Sequence, residues 1–336
     1  MAGRLGKEVL MSKKLALLLN LLLLIGCSQS MPPVIRQPTP TTTPAFTWFS
    51  LPPPESAPLW LTSGPDGAIW FIEGPPNEIG RITVSGHIST FALRGWAEPY
   101  GIVTGPDGNL WFTESARGSI GRLTPSGAFT EFPLPAPRSN LGEITRGPDG
   151  NLWFTEPDGN RIGRITPKGV ITQFPLPHPN SSPLEITGGL SDVVWFAEPQ
   201  ENRIGQITTK GVITEFSLPT PQSVPASLAV APDGSVWFIE FGGNRIGHLL
   251  PTGQISEFPI PTLQSLPGGI TCGQDGAFWF TESEGNKIGR ITPTGVITEF
   301  PLPTPNSHPI GITLGPDGAL WFTEETNSIG RFQSEG

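Results

Sequence analysis

Short apolar runs alternate with stretches rich in Gly, Pro, Asn and Asp along most of this chain. Within residues 309–330 the run Ile310–Leu314 gives way to Gly315-Pro316-Asp317-Gly318. Proline pre-sets φ for a turn and glycine supplies permissive dihedrals, so this junction reads as a hairpin. Leu320–Thr323 then reads as a second strand, and Asn327–Arg331 opens a third. The preceding unit shows a fourth strand in Gly295–Phe300. That strand ends at Pro301-Leu302-Pro303-Thr304-Pro305, which no central strand accommodates.

This four-strand pattern recurs. Its Trp-Phe pair begins at Trp70, Trp111, Trp153, Trp195, Trp237, Trp279 and Trp321, with a first spacing of 41 residues and then 42 throughout. A fixed period in this range means one supersecondary unit per repeat. Four short strands in such a unit make one propeller blade, and seven blades lie within the usual range for a closed ring. Helical HEAT repeats have a similar period, but the density of β-branched and aromatic residues and the frequent Gly/Pro punctuation exclude them. The predicted fold is therefore all-β, a seven-bladed β-propeller over residues 46–336. The last unit lacks its fourth strand, while Phe46-Thr47-Trp48-Phe49-Ser50-Leu51-Pro52 matches the ITEFPLP segment. The N-terminal strand is predicted to complete the last blade, closing the ring and removing its open edges.

Gly 42 and Pro 40 would suggest low complexity if aperiodic, but here they mark turns at fixed places. The formal charge is −9. Residues 1–26 carry Arg4, Lys7, Lys13 and Lys14 against Glu8, so the remainder is more acidic still. That balance argues against nucleic acid, which needs a basic face. Behind Lys13-Lys14, Leu15–Ile25 is apolar apart from Asn20, as in a signal peptide, and is too short for an ordinary spanning helix. It ends Leu24-Ile25-Gly26-Cys27, which resembles the bacterial lipobox and implies lipidation of Cys27. Residues 27–45, rich in Pro, Thr, Ser and Gln, read as an extended tether. The expectation is an extracytoplasmic lipoprotein, at the cell surface or in the periplasm, whose only membrane contact is its lipid. A monomer is expected, since a closed ring with polar rims needs no partner. Cys272 lies in an apolar strand run and reads as an inert thiol.

The seven WF pairs are core. The Glu after each WFx (Glu73, Glu114, Glu156, Glu198, Glu240, Glu282, Glu324) recurs in every blade and reads as structural. Bonding to the repeated Arg81, Arg122, Arg164, Arg290 and Arg331 is expected there. Function belongs where blades differ. Successive loops alternate between the two faces of the disc, so the loop leading into each first strand shares a face with the loop after each WFxE. On that face the pattern places Glu143 and Glu185 near the central channel on adjacent blades. Trp60, Glu98 and Tyr100 (the only Tyr) join them, with His308 and Glu325 from the last blade. Carboxylates at a channel mouth attract a divalent cation or a cationic ligand; the bland alternative is a solvated acidic rim. HExxH, P-loop, GxSxG, EF-hand and Cys/His zinc patterns are absent.

The units GNRIGRITPKGVITQFPLP, GNKIGRITPTGVITEFPLP and GPDGNLWFTE resemble the virginiamycin B lyase (streptogramin lyase) family over residues 46–336. The resemblance implies elimination that opens the lactone of a cyclic depsipeptide: a general base takes an α-proton while Mg²⁺ polarises the ester carbonyl. By register, the family's sixth-blade His falls on Gly268. Its Glu-Pro-His-Gly falls on His308-Pro309-Ile310-Gly311, and its seventh-blade acid on Glu325. Both histidine places therefore hold other residues. Glu98-Pro99-Tyr100-Gly101 is similar to the pattern with Tyr for His, but an ordinary Tyr is a poor base at neutral pH. Two readings follow. One is a recognition module for a small-molecule or envelope ligand at Trp60, Glu98, Tyr100, Glu143 and Glu185. The other is a Mg²⁺-dependent carbon-oxygen lyase or hydrolase using Glu325 and His308. A passive platform in the envelope is a third.

Overall fold

The computed structural model describes residues 45–52, 57–74, 77–135 and 140–333. The predicted signal peptide, Cys27 and the tether up to residue 44 lie outside them. Among the described residues, no helix is long and apolar enough to cross a membrane.

The described chain forms seven four-stranded antiparallel sheets. The third blade is representative: Ile144–Arg146, Leu152–Glu156, Arg161–Ile165 and Ile171–Pro175 pair in sequence order. The innermost strands touch one another in a cycle, the seventh returning to the first. In the last blade, Ala45–Ser50 pairs with Ser328–Gln333, in register from Ala45 with Gln333 to Ser50 with Ser328. The N-terminal strand thus closes the ring, as the repeat predicts. Trp48 Nε1 reinforces it by donating to Glu324 at 3.0 Å, and the Leu51 amide by donating to the Asn327 carbonyl at 3.0 Å.

The core runs between blades. Trp70 and Ile72 of the first blade pack with Leu110 and Phe112 of the second, and Trp111 packs with Phe154 of the third. All seven Trp are at most 4% exposed. Burial of such rings on the order of 150–250 Å² each makes the blade interfaces the main source of stability. In five blades the turn Asp satisfies the indole N–H. Trp70, Trp111, Trp153, Trp279 and Trp321 donate to Asp66, Asp107, Asp149, Asp275 and Asp317 over 2.9–3.2 Å.

The repeated arginines correct the expectation drawn from their spacing. Arg81, Arg122, Arg164, Arg290 and Arg331 pair with those turn aspartates and stand over the Trp rings. Strand alternation explains it: each Arg is opposite the Trp in the ladder, three residues before the Glu level on the neighbouring strand. In the fifth blade His248 takes the place and stacks on Trp237 at 4.0 Å. Among the buried glutamates, Glu114, Glu156 and Glu324 bond other side chains. Ser119 donates to Glu114, Arg161 and Gln173 to Glu156, and Ser328 to Glu324. Burial pushes Glu114, Glu198 and Glu240 up to about 7 and Glu282 up to about 8. Cys272 is half-buried on an innermost strand.

Candidate functional site

The loops leading into the first strands do share a face with the loops after WFxE. Backbone bonds join them: Ser115 donates to Glu98, Ser283 to Leu266, and Glu325 to Ser307 and His308. In the first, second, fifth, sixth and seventh blades the lead-in proline pairs with the repeated Glu of its own blade, as Pro99 with Glu114 and Pro309 with Glu324. A bulge follows in the first, second, fifth, sixth and seventh blades. It takes residues such as Leu59-Trp60, Tyr100-Gly101 and Ile310-Gly311 out of the ladder and re-aims them. In the third and fourth blades the first strand starts later, at Ile144 and Ile186, leaving Glu143 and Glu185 ahead of it. The candidate residues therefore stand where strand pairing releases the chain.

Threonines pin this released segment. The Gly101 amide donates to Thr113 Oγ1 at 2.9 Å, and that hydroxyl donates to the Gly142 carbonyl of the next blade at 2.8 Å. Thr281 and Thr323 repeat the arrangement toward Ile310 and Leu59, and Thr155 Oγ1 donates to Leu184. Sequence reading passed over these positions, though the Thr of WFTE against Ile72, Ala197 and Ile239 elsewhere was a visible signal. Residues just before the lead-in prolines carry a second constraint. Glu98, Ser182, Val224, Leu266 and His308 have φ of 46–51°. Proline disfavours helical conformations in its predecessor, and left-handed dihedrals cost about 1–3 kcal/mol at a non-glycine residue. Recurrence in five blades marks this as architecture that fixes the direction of the Glu98 and His308 side chains.

Four of the predicted residues form one cluster. The rings of Trp60 and Tyr100 lie 6.3 Å apart, edge toward face. Tyr100 Oη donates to Glu185 Oε1 at 3.4 Å. Glu143 sits on the adjacent blade, with Oε1 against Gly101, and its Oε2 is sealed from solvent with no hydrogen-bond partner. Burial, then the charge of Glu185, lifts Glu143 well above the usual carboxylate range, and burial lifts Glu185 as well. Burial, followed by the two carboxylates, drives the Tyr100 phenol up, away from use as a base.

The other predicted residues stand elsewhere. Glu98 accepts from Trp96 Nε1 at 2.8 Å rather than joining the cluster. Glu325 is exposed, and its backbone amide bonds the His308 carbonyl at 3.3 Å. His308 Nδ1 lies 3.6 Å from Glu284 Oε1, a sixth-blade residue that sequence reading did not single out. Nothing in its local spacing marks Glu284, because the contact arises only from blade adjacency. Among the described residues, no group of three or more His, Cys, Asp or Glu is placed to hold a metal ion.

A family model described as the virginiamycin B lyase family matches residues 39–277 and 190–336. A solved streptogramin B lyase structure is 40% identical, with a TM-score of 0.83, covering 86% of this chain and 97% of its own. A catalytically inactive histidine-to-alanine variant of virginiamycin B lyase from Staphylococcus aureus, solved with quinupristin, is 39% identical at the same TM-score, covering 87% of this chain and 100% of its own. The WD40 β-propeller domain of Doa1, at 13% identity and a TM-score of 0.70, covers 85% of this chain and 95% of its own and shares the fold alone. No curated protein sequence matches.

Proposed function

This chain belongs to the virginiamycin B lyase family, and from that premise we propose that it is a recognition module of the family, binding a small or extended envelope ligand over its lead-in face. The observation that carries this reading is what occupies the places where the family resemblance expects histidines. They hold Gly268 and Ile310, neither of which can take a proton. Space agrees with the chemistry at Gly268: a Cβ there would lie 2.9 Å from both the Ile310 carbonyl oxygen and Thr281 Oγ1. The side chains that do converge, Trp60, Tyr100, Glu143 and Glu185, offer aromatic surface and carboxyl oxygens, the means of binding. The protein is read as an extracytoplasmic, monomeric lipoprotein held to the membrane through Cys27.

The residues present do not fit the Mg²⁺ that the family resemblance implies. Mg²⁺ demands near-octahedral oxygen coordination. Glu325 is tied through its amide to the Ser307 and His308 carbonyls, and the His308 imidazole there is directed at Glu284. No catalytic step is assigned to the ion.

Incubating the full chain with quinupristin and Mg²⁺, followed by chromatography with mass detection, tests the reading. Unaltered depsipeptide is expected, and Glu325→Gln is expected to change affinity at most. A product of unchanged mass, meaning elimination, or one heavier by a water, meaning hydrolysis, would restore the enzyme reading.

A further inference from the structure

The lead-in face brings two carboxyls together, and among the described residues no basic side chain pairs with either. We propose that Glu143 and Glu185, with Trp60 and Tyr100 beside them, form a site for an organic cation: an alkylammonium group carried by the ligand.

The two glutamates project from adjacent blades, close enough for the charge of one to act on the other. Among the described residues, no ion pair involves either. Glu185 is only 6% exposed. The sealed Oε2 of Glu143 receives no donor. Other carboxylates near the ladder have a cation within reach: Glu156 has Arg161, Glu299 has Lys287, and Asp149 has Arg164. The Ile144 and Ile102 amides bond Glu143 and the Tyr100 hydroxyl bonds Glu185, but neither carboxyl has a counter-charge, and a buried carboxylate without one is unfavourable unless it takes a proton or a cation arrives from outside. The backbone is shaped to admit the carboxylate. A Cβ at Gly101 would stand 2.6 Å from Glu143 Oε1, so only glycine leaves Glu143 its position.

The neighbouring rings select the kind of cation. The face of an indole attracts an ammonium group through its quadrupole, more strongly when water is excluded. Two carboxyls bordered by Trp60 and Tyr100 satisfy an alkylammonium, whose apolar part can lie on the rings. Mg²⁺ would have to retain several waters against the same apolar edge. The net charge of −9 adds a field that draws cations toward the face.

This site rests on the recognition reading for its face, but not on any depsipeptide. Its test is calorimetric titration of the folded full chain at pH 8 with n-butylammonium and with choline. Saturable binding is expected, weakened at least tenfold in Glu185→Gln, in Glu143→Gln and in Trp60→Leu. Asp192→Asn, on the opposite face, should bind as the unaltered chain does. Circular dichroism establishes that each variant is folded. Absence of binding by both amines overturns the site and leaves the pair sharing a proton. Binding of Mg²⁺ alone, abolished by the same glutamate substitutions, overturns it in favour of a metal. Turnover of quinupristin would sink the recognition reading while leaving amine binding to be judged on its own result.

Discussion

At position 163 the third strand of a blade has a glycine because a ring occupies the space beside it. A Cβ there would lie 2.1 Å from Phe154 Cζ, and the same crowding recurs at Gly80, Gly121, Gly205, Gly247, Gly289 and Gly330 against the Phe of each WF pair. Gly163→Ala should therefore destabilise the protein by about 1–3 kcal/mol through overpacking. Urea denaturation measures it, and the added substitution Phe154→Leu should recover part of the loss. An unchanged midpoint would mean that the ring has room to move. At this scale the sequence was informative about types and poor about partners. The Ile-Gly-Arg motif and the buried Glu were both visible. Yet Arg164 answers Asp149, because residues opposite in the ladder share a face and the Arg is level with Trp153. Period-two geometry, applied across the strands, would have found that pairing.

Among elements, the N-terminal strand was the clearest prediction, because the missing fourth strand and the stray ITEFPLP-like segment sit at opposite ends of the repeat. Its removal tests the closure. Deleting Phe46–Leu51 eliminates the ladder to Ser328–Gln333, the Trp48–Glu324 bond and the stacking of Phe49 on Trp321 at 5.4 Å. The melting temperature should fall by at least ~10 °C, the equivalent of several kcal/mol for a domain of this size. Trimming residues 28–44 should leave it nearly unchanged, and equal effects from both deletions would refute closure. Less was legible in the lead-in segments. Their proline marked a boundary, but Pro99 leads into a bulge whereas after Pro183 the strand starts late, at Ile186. That choice sets Tyr100 against Glu185 and leaves Glu98 with Trp96. Glu143 and Glu185 could be placed together from register alone, whereas Glu284 could not be joined to His308.

For the whole molecule, repetition multiplies small electrostatic effects. Glu114, Glu198 and Glu240 titrate at about 7 in the folded state and Glu282 at about 8. An unfolded chain releases those protons near pH 4.3. Between these values the folded state binds more protons, so stability falls as pH rises through roughly 4.5 to 8. The turn aspartates act oppositely. Burial raises Asp149, but bonds from Asn151 and Trp153 and the nearby Arg164 outweigh it and hold the carboxyl below its usual range, as happens at Asp66, Asp107, Asp275 and Asp317. Their contribution is present above about pH 3.8 and lost as pH falls further. Scanning calorimetry should show the highest melting temperature near pH 5 and a value ~5 °C or more lower at pH 8. A melting temperature that climbs steadily from pH 5 to 8 would show that the four glutamates are ionised in the folded protein.

The pairing of Ala45 with Gln333 also sets an order of events during synthesis. The first strand of the ring to leave the ribosome waits for a partner in the seventh blade, the last of the ring to be translated. Through that interval its ladder edge is open to other chains, so the nascent polypeptide is exposed to misassociation until the seventh blade has been made. A circular permutant in which Gln333 is followed directly by residues 45–50, with new ends in an exposed connection between two blades, would make the last blade contiguous and remove the wait.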